Sequence, residues 1–370
     1  SPSTVTRITQ QQLLEGLLVE EGTTHTAIGR RPKLLRINSQ ASVTMGLHLG
    51  ATATVAVADL RGRILREAEV AFAVDESMDD GIQRVIALIN DLRGSLSGAP
   101  EVRGIGIGVP SIVNADYEEV VWGPGHGWQS MAFAKVIQEA TGLQTFVEND
   151  VNLAALGELQ SGAADGVDNL IVLMLDTGVG AALIVNGELH RGFRGAAGEV
   201  GYMFVADSFE TPTGGRPRPR LEDLISSTAI VNRVKAALRE QGRAALDDAD
   251  TPLTCQAVFA AARRGDEVAS AVCASVTTYL ARAIVNIATV LNPELVVLAG
   301  QVVEGNDDFV AAVGEQVATA LPHPLMVRLS ASKEKSVLHG AIALALERTS
   351  NHLEVRKVPS TAGASRRRQV

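Results

Sequence analysis

Apolar residues recur at spacings of three to five positions from Val5 through Ile8, Leu13 and Leu14 to Leu17 and Leu18, and this predicts an amphipathic helix ending near Gly16. A strand-like LLVEE, a loop TTHTAIGRRP and a second strand-like LLRIN follow, which read together as a hairpin with a basic tip. A helix followed by such a hairpin is half of a winged helix-turn-helix. From Thr44 the pattern changes to strand, turn, strand in MGLHLGATATVAVADLRGRILREAEVAF. Ile82, Val85, Ile86, Ile89, Leu92 and Leu96 then share one helical face, ahead of the Gly-alternating strand VRGIGIGVP, a helix from Met131 to Thr141 and the strand TFVE. A second unit opens with the strand NLIVLML, the turn DTGVG and the strand AALIVNG. It continues through a long helix from about Glu267 to Leu291, the strand ELVVLAG and a last helix around SVLHGAIALALE. Two units that each open strand, Gly-turn, strand predict a duplicated α/β fold with a cleft between its halves.

Composition changes this picture little: 370 residues, 46% hydrophobic and 20% charged, suit a globular chain of two or three domains. The expected divisions are a helix-and-hairpin head at 1–41, one α/β unit at 42–150, a second at 151–336, and a basic disordered tail at 350–370. No apolar run comes near the ~18 to 20 residues that span a bilayer, and the polar N-terminus lacks signal-peptide character, so a cytoplasmic protein without a membrane partner is expected. Cys255 and Cys273 have no CxxC or Cys/His cluster around them and read as reduced core residues.

Charge is informative once divided along the chain. Residues 1–41 carry a net +2 and residues 351–370 a net +4, so with −9 overall the body between them carries −15. A body that acidic repels a polyanion, and any nucleic-acid contact belongs to the ends.

Several ordered motifs (GIGIGVPSIVN, GPGHGW, FVENDVNLAALGE, DTGVGAALIVNGELHRGFRGAAGEVGY, LEDLISS and LNPELVVLAG) together resemble the ROK family, which comprises sugar kinases and sugar-responsive repressors. The resemblance runs from the first residue to about residue 349. It implies an actin-like, ribonuclease H-like duplicated α/β fold with two lobes around a cleft, the first lobe at 42–150 completed by the helix at about 337–349 and the second at 151–336, preceded by a partial winged helix-turn-helix DNA-binding domain at 1–41. The helices that normally precede a recognition helix are not in the sequence, which starts without Met, so a piece of a longer protein is expected.

The resemblance assigns sugar hydroxyls to Asn149 and Asp150 of the END motif, Asp150 standing where the kinases have their general base. A carboxylate accepts from two hydroxyls and an amide both donates and accepts, so the pair suits a polyol. The competing reading is an Asx cap on the helix beginning VNLAALGEL. By the same resemblance Glu199, Tyr202 and Glu222 face the sugar, Tyr202 replacing the family's His. The alternative for each Glu is a solvated surface carboxylate. The family's zinc ligands, one His and three Cys, have no counterpart between Tyr202 and Glu222, where MFVADSFETPTGGRPRPRL contains neither residue type, so no zinc and no other cofactor is expected. Pro212, Pro217 and Pro219 are expected to stiffen that loop in part instead.

A kinase of this family carries Asp in the Asp-x-Gly-Gly-Thr element of its first strand-turn, whereas this chain reads His48, Leu49, Gly50, Ala51, Thr52. Loss of the metal-site carboxylate removes a principal contribution to phosphoryl transfer. The expectation is therefore a repressor whose body binds a sugar or sugar phosphate without phosphorylating it, acting on operator DNA as a homodimer or dimer of dimers. The alternatives are an ATP-dependent sugar kinase and a sugar-binding module that meets another protein. Ser3, Thr4, Thr6 and Arg7 at the start of the first helix, with Arg30 and Arg31 on the wing, are the candidate DNA contacts.

Overall fold

The computed structural model describes residues 2–350 apart from 24–32, 51, 73–76, 97, 99, 115, 123–131, 162–163, 165, 206–218, 244–245, 247–252 and 333–334. The wing tip with Arg30 and Arg31, the GPGHGW motif, Pro212, Pro217 and the tail from residue 351 lie outside the described residues.

The chain opens with helix α1 (Pro2–Leu14) and an antiparallel hairpin of β1 (Leu18–Thr23) and β2 (Lys33–Ile37). Next come β3 (Ser42–Leu49), β4 (Thr52–Asp59), β5 (Ile64–Ala71), helix α2 (Met78–Gly94), β6 (Glu101–Val109), the small pair β7 (Ile112–Val113) and β8 (Val120–Trp122), helix α3 (Phe133–Thr141) and β9 (Gln144–Asn149). These form a sheet of order β5-β4-β3-β6-β9. Helix α4 (Asp150–Ser161) leads into β10 (Leu170–Leu175), β11 (Val179–Val185) and β12 (Glu188–Leu189). Helices α5 (Glu222–Ile225), α6 (Ser227–Glu240), α7 (Cys255–Arg263) and α8 (Glu267–Leu291) precede β13 (Leu295–Ala299), α9 (Asp307–Ala320), β14 (Met326–Leu329) and α10 (Ser336–Thr349). The second sheet runs β12-β11-β10-β13-β14, the same order as the first once each is counted from its own first strand. In each sheet the first strand pairs antiparallel with the second and parallel with the fourth, so the duplication read from sequence is a duplication of topology.

Side-chain alternation sorts the layers. Met45, Leu47, Ile105 and Ile107 share a core with Ile82, Val85, Ile89 of α2 and Phe133, Ile137 of α3. Ile171, Leu173 and Leu175 of β10 face α5 to α9, while Leu170 and Val172 face α4. Helices α4 and α10 lie between the two sheets. Here the glycines of β6 acquire a reason: a Cβ on Gly104 would stand 2.8 Å from Thr349, on Gly106 2.0 Å from the Ala341 carbonyl oxygen, and on Gly108 2.7 Å from Val337. The alternation in VRGIGIGVP is the seat of the last helix. Gly340 is equally constrained on the other side, a Cβ there standing 1.8 Å from the Leu153 carbonyl oxygen of α4.

The expectation that no apolar stretch reaches membrane-spanning length meets one exception: among the described residues α8 passes by length and composition, with half of its apolar window buried. It is the central helix of the second lobe's core, closed at its start by the Asp266 side chain accepting from the Ala269 N–H and at its end by left-handed Asn292.

Candidate functional site

The cleft site starts where β9 becomes α4. The Asn149 side-chain oxygen accepts from the N–H groups of Val151 at 2.9 Å and Asn152 at 3.1 Å, while its amide donates to the Ser111 carbonyl at 3.2 Å. Asn149 thus performs the Asx capping that was the competing reading of this motif, and also pins the turn to the end of β6. The neighbouring carboxylate is in a different position. Asp150 accepts from the Val151 N–H at 2.8 Å, and burial in the cleft pushes its carboxyl up to about 7, the Val151 bond opposing and the negative fields of Asp176 and Glu199 adding to the rise.

The second lobe supplies the other acids. Between β10 and β11, Asp176 closes the DTGVG turn with its N–H on the Gly178 carbonyl at 2.9 Å. Its Oδ1 accepts from the Thr177 N–H at 2.9 Å and from the Gln301 amide. Glu222, at the start of α5, accepts from the Val179 N–H at 3.0 Å and so ties that helix to the same turn. Burial raises the Glu199 carboxyl, with Glu222 adding to the effect. Tyr202 stands at the rim, 42% exposed, with the Arg220 guanidinium 4.4 Å over its ring. Asp150, Glu199, Tyr202 and Glu222 are therefore brought together, joined by Asp176; neither Asp176 nor Gln301 was singled out as a ligand from sequence.

His48 is the penultimate residue of β3, beside the equivalent turn of the first lobe, where the Gly50 N–H donates to the Thr52 carbonyl at 2.9 Å. Burial holds its imidazole below the ordinary His range, against the pull of Asp176. The two strand-turns lie near enough for the charge of Asp176 on one to act on His48 of the other.

At the other end of the chain, Ser3, Thr4, Thr6 and Arg7 are all exposed on the first two turns of α1. In the hairpin stem Lys33 pairs with Glu20 at 2.6 Å and Arg36 with Glu21 at 3.0 Å. Those two cations are thus neutralised locally, which leaves Arg7 as a cation of this segment without an ion pair among the described residues.

Two sheets of one order around a cleft of carboxylates define an actin-like, ribonuclease H-like α/β protein with a sugar-kinase type of body. The chain belongs to the ROK family, which it matches over residues 44–348. It is 25% identical over 355 residues, 93% of this chain and 88% of the relative, to a putative xylose repressor of Caldicellulosiruptor sp. (strain Rt8B.4). It is 34% identical over 240 residues, 64% of this chain and 73% of the relative, to a glucokinase of Halalkalibacterium halodurans. Among solved structures it superposes with a TM-score of 0.80 and 26% identity on a ROK family transcriptional regulator described as a homolog of the E. coli MLC protein, covering 94% of this chain and 89% of that one.

Proposed function

We propose that the chain is a sugar-responsive, DNA-binding transcriptional repressor whose kinase-like body binds its effector without phosphorylating it. The observation that carries the reading is the pairing of an assembled set of hydroxyl acceptors, Asp150, Glu199 and Glu222, with a first strand-turn that presents His48 where a kinase has its metal-site carboxylate. The second turn adds support: its Thr177 and Val179 N–H groups, the donors that would cradle a phosphate, are engaged by Asp176 and Glu222. Two relatives named as xylose repressors cover 93% of this chain, whereas the glucokinase relative covers 64% of it.

In this reading α1 enters the major groove with Ser3, Thr4, Thr6 and Arg7, and Arg30 and Arg31 of the wing contact phosphate or the minor groove. A homodimer presents two heads to a palindromic operator. A sugar or sugar phosphate held between the lobes favours one lobe arrangement and hence one spacing of the heads. A coupling of about 1 to 3 kcal/mol suffices for regulation. The cleft works in the cytoplasm without zinc, Asn149 serving as the cap that orients Asp150.

Calorimetry with D-xylose, D-glucose, N-acetylglucosamine and the 6-phosphates of the two hexoses tests the reading. Asp150→Asn should weaken binding of whichever ligand the parent takes by about 1.5 to 3 kcal/mol, roughly tenfold to a hundredfold, because the amide NH₂ faces hydroxyl donors it cannot accept from. Unchanged affinity in that variant would remove Asp150 from the pocket.

A further inference from the structure

The residue just before the Asn149–Asp150 turn is a buried carboxylate whose partner comes from the other lobe. Only 1% of the Glu148 side chain is exposed. Its Oε1 accepts from the Asn149 N–H at 2.7 Å and from the Asn152 amide at 3.0 Å, which ties it to the first turn of α4. Its Oε2 stands 2.8 Å from Nε of Arg191. Arg191 follows β12 at the edge of the second sheet. The same guanidinium donates to the Asn114 carbonyl of the first lobe at 3.1 Å and lies 4.0 Å over the Tyr117 ring. Arg348, from the last turn of α10, lies 4.1 Å over that ring as well. Two planar cations at that distance from one ring centre would collide on one side, so they take opposite faces. Four residues beyond Arg191, Gly195 has φ +73°, and a Cβ there would stand 2.3 Å from the Val113 carbonyl oxygen. The second lobe thus reaches into the first at this point.

We propose that Arg191 is a positioning residue for the cleft: the latch that fixes the Asn149–Asp150 turn of the first lobe against the second, and so sets effector affinity without touching the effector. The physical reason is the cost of isolating Glu148. Without Arg191 it is a desolvated carboxylate with no counter-ion, which must take up a proton or turn toward water. Turning toward water breaks the bonds to Asn149 and Asn152 that hold the turn carrying Asp150, whereas a proton on Oε2 leaves those bonds and ends the attraction between the lobes. The affinity part of this inference rests on the sugar reading of the cleft, whereas the latch itself does not.

The test uses the full chain as Arg191→Ala, Arg191→Lys and Glu148→Gln, with spin labels on exposed positions of the two lobes, Glu139→Cys and Glu240→Cys. Without ligand, the parent should give one main inter-label distance. Arg191→Ala should broaden or lengthen it, and Arg191→Lys, which restores the charge beside Glu148, should return it most of the way. Glu148→Gln keeps the bonds to Asn149 and Asn152 while removing the charge, and it carries the test if Arg191→Ala does not fold. With D-xylose, D-glucose and N-acetylglucosamine as probes, affinity for whichever the parent binds should fall roughly tenfold to a hundredfold in Arg191→Ala, the range known for outer partners of metal-site ligands, and recover in Arg191→Lys. A distance distribution in Arg191→Ala identical to the parent's overturns the latch. Shifted distances with unchanged affinity overturn its positioning role. If the parent binds none of the three sugars, the neutral-sugar reading falls, and the latch is decided by the distances alone.

Discussion

The carbonyl oxygen of Ala341 lies 2.0 Å from the point where a Cβ on Gly106 would stand, so the last helix and the middle of the first sheet touch backbone to backbone. Gly106→Ala should therefore destabilise the fold by about 1 to 3 kcal/mol through overpacking, since the obstructing atom is main chain. Gly108→Ala should cost less, because its Cβ meets the Val337 and Leu153 side chains, which can shift. Gly94→Ala, with nothing within 4 Å, should be neutral or slightly stabilising. Denaturant midpoints for the three variants check this order; a harmless Gly106→Ala would mean that α10 is not seated as described.

The Asp150 carboxyl makes stability depend on pH in a stated direction. In the unfolded chain it ionises near 3.8, in the folded protein at about 7. Between these values the folded state holds the extra proton, so stability falls as pH rises through the window and levels off above it. Asp150→Asn removes the effect. The variant should exceed the parent by about 1 to 2 kcal/mol at about pH 8, below the ~4 kcal/mol of the full shift because solvent in the cleft screens a half-buried group, and the gap should close at about pH 4. Thermal scans at both pH values decide; a pH-independent gap contradicts a desolvated carboxyl.

With His48 at the first turn and the donors of the second turn engaged, the purified protein should show no sugar-dependent ATP turnover. A coupled assay giving the ~1 to 100 s⁻¹ usual for kinases would replace the repressor reading with the kinase one.

Arg7 lies exposed on α1 and, among the described residues, has no ion pair of the kind that Lys33 and Arg36 make. Arg7→Ala, and likewise Arg31→Ala, should weaken binding to a DNA fragment selected from random sequence, lower the log–log salt slope by about 1, and leave effector affinity unchanged. A slope equal to the parent's in both variants would place the DNA contact elsewhere.

How much of this was legible in the sequence follows the range of each signal. Local signals read well: the face Ile82, Val85, Ile86, Ile89, Leu92 is buried as the periodicity requires, although Leu96, marked as part of the same face, lies past the helix end at Gly94, and α8 runs between the residues its pattern marked. The two strand-turns that reveal the duplication are also local. What stayed hidden is held together by residues far apart in the chain. Glu148 and Arg191 meet across the cleft, and Tyr117 draws Arg348 from the end of the last helix. Neither contact leaves a periodicity or a motif behind. Asn149 was ambiguous for another reason, since capping and sugar recognition use the same amide and only the position of the Val151 and Asn152 N–H groups separates them.

The seating of α10 also governs when this protein can be made. Its face of the first sheet, Ala56 and Ala58 together with the bare backbone of Gly46 and Gly106, is covered by Leu338, Ala341 and Ile342. During synthesis that surface stays uncovered until some 280 further residues have left the ribosome after β4, and a lobe that would otherwise fold first must wait for the end of the chain. A chain that stops short of α10 should emerge with that sheet face open, as a target for chaperones and for aggregation, however complete its cleft residues are.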